Sequence, residues 1–366
     1  MIVEMPTELS QPASSAPINT AVTVYLPDLE AGWLWPRRLN VHTANIKQEC
    51  LDWAASFGAF TPRAQKAFDK CNFNLLTGLM YPRLSREQLR CACDVMNLFF
   101  IFDEHSDKSE PADVWSQVNV LMDALLNPDS PRPAGEWVGG EIARQFWIQA
   151  TKISTKSFQR RFLASWEDYL KGTAQQAEDR SRSHIRDVNS YLEVRRQTIG
   201  VMPSLVFFQI DMDLSDEVLE HRTIKALEML AVDLTIIAND LLSYDKEQAS
   251  GDDEHNLVTI AMKEYNTDIQ GAIDWAAKIH GDLVQQFNQV VLAVPRWGGP
   301  VDLDVQTYVD GIAQWVGANV QWSFESERYF GKRGLEVKKT RTLQLLPRKA
   351  KAQAEIGPVV VDDILP

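Results

Sequence analysis

The sequence predicts an all-α fold, a single helical domain between residues 23 and 335. Two observations carry this. Apolar residues recur at three- and four-residue intervals through most of that span, and convincing strands of alternating pattern are absent. Several of the helices are apolar on much of their circumference, which places them inside a multilayer bundle and not on its rim.

The periodicity predicts helices at 46–59, 86–102, 113–126, 141–151, 158–171, 187–209, 216–245, 256–263, 267–291 and 304–330. Breakers separate them where a bundle needs turns. Asn127-Pro128-Asp129-Ser130-Pro131-Arg132-Pro133 ends one helix, Ser250-Gly251-Asp252-Asp253-Glu254 follows another, and Pro295 with Gly298-Gly299-Pro300 divides the last two. Residues 1–22 are rich in Pro, Ser, Thr and Ala without periodicity and read as a poorly ordered arm. Residues 336–366 mix basic residues with Pro347 and Pro358 and read as a tail of little structure.

A chain of 366 residues that is 45% hydrophobic can bury a substantial core. Its formal net charge of −13 argues against nucleic acid as the main partner, because a phosphate-binding surface normally shows a basic stripe. Cys50, Cys71, Cys91 and Cys93 lack C-x-x-C spacing, so buried free thiols in a reducing compartment are expected. No apolar run approaches the length of a membrane span, and the N-terminus lacks the basic and apolar regions of a cleaved signal. The expectation is a cytoplasmic protein without an integral membrane segment, monomeric or homodimeric.

Candidate chemistry begins at Asn239-Asp240-Leu241-Leu242-Ser243-Tyr244-Asp245-Lys246-Glu247, directly after the apolar stretch Ala226–Ala238. Asn239, Ser243 and Glu247 are four apart. Each step of four advances a helical side chain by about 40°, so the amide, hydroxyl and carboxylate share one face. Three hard oxygens in a row suit Mg²⁺, and Lys246 beside them suits an anion carried by the metal. The plainer alternative is a buried polar network.

A second cluster, Asp103-Glu104-His105-Ser106-Asp107, ends the apolar run Leu98–Phe102. Asp103 and Asp107 are i, i+4 neighbours whose mutual repulsion a divalent cation would relieve. An acidic helix end running into a solvated loop is the plainer alternative. Arg195-Arg196 supplies forked donors suited to diphosphate oxygens, with a surface ion pair to a residue such as Glu193 as the alternative. Arg328-Tyr329 follows an aromatic-rich helix, where capping and packing are the ordinary roles. Phe99, Phe100, Phe207, Phe208 and Trp322 are candidate lining residues of an apolar pocket, though core packing explains each as well.

These four elements together resemble those of class I terpene synthases, closest to the fungal, basidiomycete-type sesquiterpene synthases. Asp103 to Asp107 resembles the family's aspartate-rich motif in its D-E-x-x-D form. Asn239, Asp240, Ser243 and Glu247 match the N-D-x-x-S-x-x-x-E triad, Arg195 resembles the diphosphate-sensing arginine more closely than Arg196 does, and Arg328-Tyr329 matches the terminal R-Y pair. The resemblance implies a class I terpenoid synthase bundle around a central active-site cavity. It also implies three Mg²⁺ ions, with Mn²⁺ a possible substitute. Asp103, Asp107, Asn239, Ser243 and Glu247 would be metal ligands, with Asp107 the weakest. Arg195, Lys246, Arg328 and Tyr329 would clamp the diphosphate.

The implied activity is ionisation of farnesyl diphosphate, followed by cyclisation or water capture. The nearest alternatives are a monoterpene or acyclic terpene alcohol synthase using geranyl or farnesyl diphosphate, and, in a different class, a non-catalytic helical scaffold. Chain elongation is disfavoured because Asn239 and Ser243 stand where an elongating enzyme carries aspartates. The chain has no D-x-D-D run for protonation-initiated cyclisation, and it lacks the E-x-x-H pairs of a di-iron bundle.

Overall fold

The computed structural model describes residues 22–182, 186–349 and 356–364. All of the expected N-terminal arm except Val22 lies outside them, as do residues 350–355 and 365–366 of the expected tail. The chain opens with a short strand β1 (Thr23–Tyr25), then helices α1 (Thr43–Ser56), α2 (Pro62–Lys70), α3 (Phe73–Met80), α4 (Arg86–Ser106), α5 (Pro111–Leu126), α6 (Gly139–Ile153) and α7 (Lys156–Ser181). It continues through α8 (Val188–Thr198), α9 (Val201–Val206), α10 (Asp216–Leu219), α11 (Arg222–Ser250), α12 (Leu257–Glu264), α13 (Ile269–Leu292) and α14 (Gly299–Glu325). α15 (Gly334–Thr340), β2 (Thr342–Gln344) and α16 (Val361–Ile364) complete it.

Local chemistry sets many of the boundaries. Ser85 and Gln88 form a reciprocal capping box at the start of α4, and Thr61 with Pro62 starts α2. Gly251, at φ 79°, takes the left-handed position that ends α11. The helix expected at 187–209 is split instead into α8, α9 and a 3₁₀ turn. The break falls at Gly200 (φ 73°), where an added Cβ would meet the Phe99 ring at 3.2 Å. The positive φ favours glycine there, and a Cβ would press on the ring.

Six helices contact one another in a closed ring, α4–α7–α8–α11–α14–α3 and back to α4. α11 packs on α13 and α14 as well as α8, and most of its side chains from Leu234 to Asp245 are buried. This explains why its apolar character extends around the helix.

Two expectations need correction. Strands do occur: β1 and β2 pair antiparallel with Val24 opposite Leu343. The segment after residue 335 also carries structure, with α15, β2 and α16 among its described residues. There Leu346, Val361 and Ile364 bury a small apolar cluster with Ala249 of α11. A three-residue strand is too short for a sequence pattern to reveal, and it exists only because its partner lies more than 300 residues away. No helix among the described residues is long and apolar enough to cross a membrane.

Candidate active site

α4 carries Asp103 and, just past its end, Asp107. α8 carries Arg195, α11 carries Asn239, Ser243, Lys246 and Glu247, and the turn after α14 carries Arg328 and Tyr329. Asn239 joins three of these elements. Arg195 Nη2 donates to Asn239 Oδ1 at 2.9 Å, Asn239 Nδ2 donates to the Tyr329 hydroxyl at 3.0 Å, and Arg328 Nε donates to the same hydroxyl at 3.4 Å. Arg328 completes the circuit to α4, with its guanidinium nitrogens 3.9 Å from Asp103 Oδ2 and 3.5 Å from Glu104 Oε1. The residues predicted to clamp an anion therefore converge with those predicted to bind metal.

Lys246 stands near Arg328, Glu104 and Cys71, and among the described residues no ion pair engages it. Burial first, and the neighbouring Arg328 second, push its ammonium below the usual lysine range. An anion placed between the two cations would reverse that shift.

Ser243 supplies the test of whether the donor set fits a metal. The residue is 1% exposed, and its buried hydroxyl has no hydrogen-bond partner among the described residues. A buried hydroxyl left unpaired costs about 1–3 kcal/mol, so an orphan between Asn239 and Glu247 fits a ligand position that a metal would satisfy. Glu247 is held by Asn256 Nδ2, which donates to Oε2 at 2.9 Å. Among the described residues no three His, Cys, Asp or Glu side chains converge as a metal cluster. The donors are instead divided between two walls, and one wall uses an amide and a hydroxyl.

The aspartate pair differs from the sequence argument. Each carboxylate has its own guanidinium: Arg180 Nη1 is 3.3 Å from Asp107 Oδ1, and Arg328 lies beside Asp103. Asp107 stands at the rim, where water reaches 55% of its side chain. Partial loss of hydration, and then the Asp103 charge, raise its carboxyl above the usual carboxylate range against the opposing pull of Arg180. Asp103 is raised for the same first reason and then by Glu104, with Arg328, Arg195 and Lys246 opposing.

The aromatic residues divide. Phe99 packs edge-on against Trp166 and Tyr169, with ring centres 4.5 and 5.0 Å away, at the Gly200 break. Phe100 stacks on Phe73 at 3.7 Å and lies 4.9 Å from the Arg328 guanidinium carbon, at the polar end of the site. Trp322 donates Nε1 to the Cys71 carbonyl at 2.7 Å and turns its ring toward Phe73 and Tyr329. Phe207, expected to line the pocket, is 0% exposed and sealed among Phe146, Phe158 and Phe162. Its place is the core. Phe208 packs on Tyr81 and Gly311.

A model of terpene synthase family 2, C-terminal metal binding, matches residues 94–286. The Delta(6)-protoilludene synthase of Armillaria gallica is 49% identical over 339 residues, covering 93% of this chain and 98% of that one. The chain belongs to the terpene synthase family. A Delta(6)-protoilludene synthase of Stereum hirsutum is likewise 49% identical, over 341 residues covering 93% and 92%. Among solved structures, α-eudesmol synthase superposes with a TM-score of 0.73 at 19% identity, covering 80% of this chain and 98% of that one, a likeness of fold.

The structure also places around the site residues to which the sequence analysis gave no role of their own. Asp240 lies inside the motif but turns away from the Asn239 face. It accepts from the Tyr191 hydroxyl at 2.5 Å and from the Leu257 backbone N–H at 2.9 Å, and its Oδ1 is 3.8 Å from Arg195 Nε. Burial pushes it up to about 6, with Arg195 opposing. The motif match included Asp240, but its partners Tyr191 and Leu257 were not legible in the sequence. Arg180, Tyr191 and Asn256 carried no local signal, because their partners are distant in sequence.

A separate groove of about 900 Å³ lies between α7, α8 and α11. Its basic side chains are already paired, Arg160 and Arg161 with Asp216, Arg196 with Asp233 and Lys225 with Glu228.

Proposed function

We propose that this sesquiterpene synthase converts farnesyl diphosphate into a cyclic hydrocarbon of the Δ6-protoilludene type. The observation that carries the reading is the polar circuit Arg195–Asn239–Tyr329–Arg328. It gathers diphosphate-binding groups around the same amide that heads the metal donor row. The names of the relatives at 49% identity support the product class.

The chemical difficulty is heterolysis of an allylic C–O bond, which proceeds only if charge developing on the leaving diphosphate is neutralised. Asp103, Asn239, Ser243 and Glu247 would hold divalent metal, taken as three Mg²⁺ ions, with Asp107 a minor ligand. When bound, the metal supplies much of that neutralisation. Arg195, Arg328 and Lys246 donate N–H groups to diphosphate oxygens, and Tyr329 donates its hydroxyl. Phe99 and its aromatic neighbours keep water from the carbocation, and loss of a proton ends the cascade. The four unpaired, buried cysteines support a cytoplasmic setting.

The test is incubation of the purified protein with Mg²⁺ and, separately, C10, C15 and C20 prenyl diphosphates, with the volatile products analysed. A tricyclic C15 hydrocarbon is expected from farnesyl diphosphate. Turnover of geranyl diphosphate alone, or release of only an acyclic alcohol, would overturn the reading.

A further inference from the structure

The C-terminal segment packs beside each of the three chain segments that carry the site's polar residues. Downstream of the β1–β2 pair, the Leu346 N–H donates to Asp245 Oδ1 at 2.7 Å. Gln248 Nε2 donates back to the Leu346 carbonyl at 2.8 Å, and the Lys349 N–H donates to the Ala249 carbonyl at 2.8 Å. Arg348 pairs with the buried Asp253 at 2.7 Å. These contacts run along the last turns of α11, where Ser243, Lys246 and Glu247 sit. Further on, the Gly357 carbonyl accepts from Lys108 Nζ at 3.1 Å, one residue beyond Asp107. Gly357 also packs so close to Ala64 of α2 that a Cβ there would lie 2.4 Å from the Ala64 methyl. Asp362 lies against Gly331, two residues after Tyr329, and Val360 is fully buried in the main core.

Asp245 stands between two metal-donor positions of the motif but does not share their role. It is 1% exposed, and its hydrogen-bonding partners are the Leu346 N–H and Gln248. A buried carboxylate is costly unless it is hydrogen-bonded, so the segment and the motif helix stabilise one another.

We propose that residues 346–349 and 356–364 are a positioning element of the active site, a tie that fixes the spacing of the Asp103–Asp107 wall, the Asn239–Glu247 wall and the Arg328–Tyr329 turn. The inference rests on the metal-and-diphosphate reading given above. No atom of the tie is assigned to substrate. Its effect is to hold the ligands of both walls at a common distance, as outer contacts of metal ligands do elsewhere.

The test uses thermal shift of the protein titrated with Mg²⁺ in the presence of inorganic diphosphate. Deleting residues 346–366 is expected to lower melting in buffer moderately and to raise the Mg²⁺ midpoint roughly 10-fold or more. Leu346→Pro removes the N–H that Asp245 accepts and is expected to raise the midpoint as well, whereas Leu346→Ala keeps that N–H and stays near wild type. This pair answers the question if the deletion fails to fold. Lower melting in buffer with unchanged midpoints in the deletion and in Leu346→Pro would overturn the tie and leave the enzyme reading intact. A wild-type protein that Mg²⁺ and diphosphate together do not stabilise would overturn both.

Discussion

Arg195 and Arg196 are neighbours in sequence and go to different faces of α11: Arg195 donates to Asn239 at 2.9 Å, and Arg196 grips Asp233 with two bonds of 2.7 and 2.9 Å. Successive helical residues point about 100° apart, so only one member of the pair can face the interior of the ring. Arg196→Ala should leave kcat/KM within a few-fold of wild type. Arg195→Ala should lower it by roughly 10- to 100-fold, the scale of a lost charge-assisted bond of about 1.5–3 kcal/mol. Steady-state kinetics of the two variants, with circular dichroism to confirm the fold, checks the contrast.

Ser243 predicts opposite effects on stability and activity. Its unpaired buried hydroxyl makes the metal-free protein less stable than an alanine would. Ser243→Ala should therefore raise the melting temperature without metal, by an amount corresponding to about 1 kcal/mol, while turnover with Mg²⁺ falls sharply. A variant that loses stability and keeps its turnover would remove Ser243 from the donor row.

Asp103→Asn should abolish or severely reduce turnover while melting remains cooperative. Asp107→Asn should cost much less, because Asp107 lies past the end of α4 and its 3.3 Å pairing with Arg180 is closer than the 3.9 Å between Arg328 and Asp103. Equal losses in the two variants would assign them equal roles as ligands.

Phe99 and Phe207 separate specificity from packing. Phe99→Ala should change the distribution of hydrocarbon products while diphosphate release stays measurable. Phe207→Ala should destabilise the fold by about 3–5 kcal/mol, as expected for an aromatic ring removed from a closed core. Product chromatography and denaturant unfolding of both variants decide the assignment.

His280 on α13 is 3% exposed, and its Nε2 has no partner among the described residues. Burial pushes its imidazole down to about 4. The unfolded chain binds this proton near pH 6.5 and the folded protein only near 4, so the neutral side chain's contribution is complete above pH 6.5 and is lost as pH falls toward 4. The loss amounts to about 3 kcal/mol. Carboxyl groups titrate in the same window, so the measurable quantity is a difference: unfolding free energy should fall more steeply with acid in wild type than in His280→Leu.

What the sequence by itself determined is local. Periodicity predicted most of the helices, and the four-residue spacing of Asn239, Ser243 and Glu247 placed them on one helical face, because both are properties of a single α-helix. The R-Y pair and the aspartate-rich end were legible for the same reason. Only the tertiary structure decided which arginine bonds Asn239, that Asp107 is paired with Arg180, that Phe207 belongs to the core, and that a segment read as a tail packs against the last turns of α11. Each of those outcomes depends on partners tens to hundreds of residues away. Such contacts form when the helices close into a ring, and a period of 3.6 residues carries no information about which distant side chain will be waiting there.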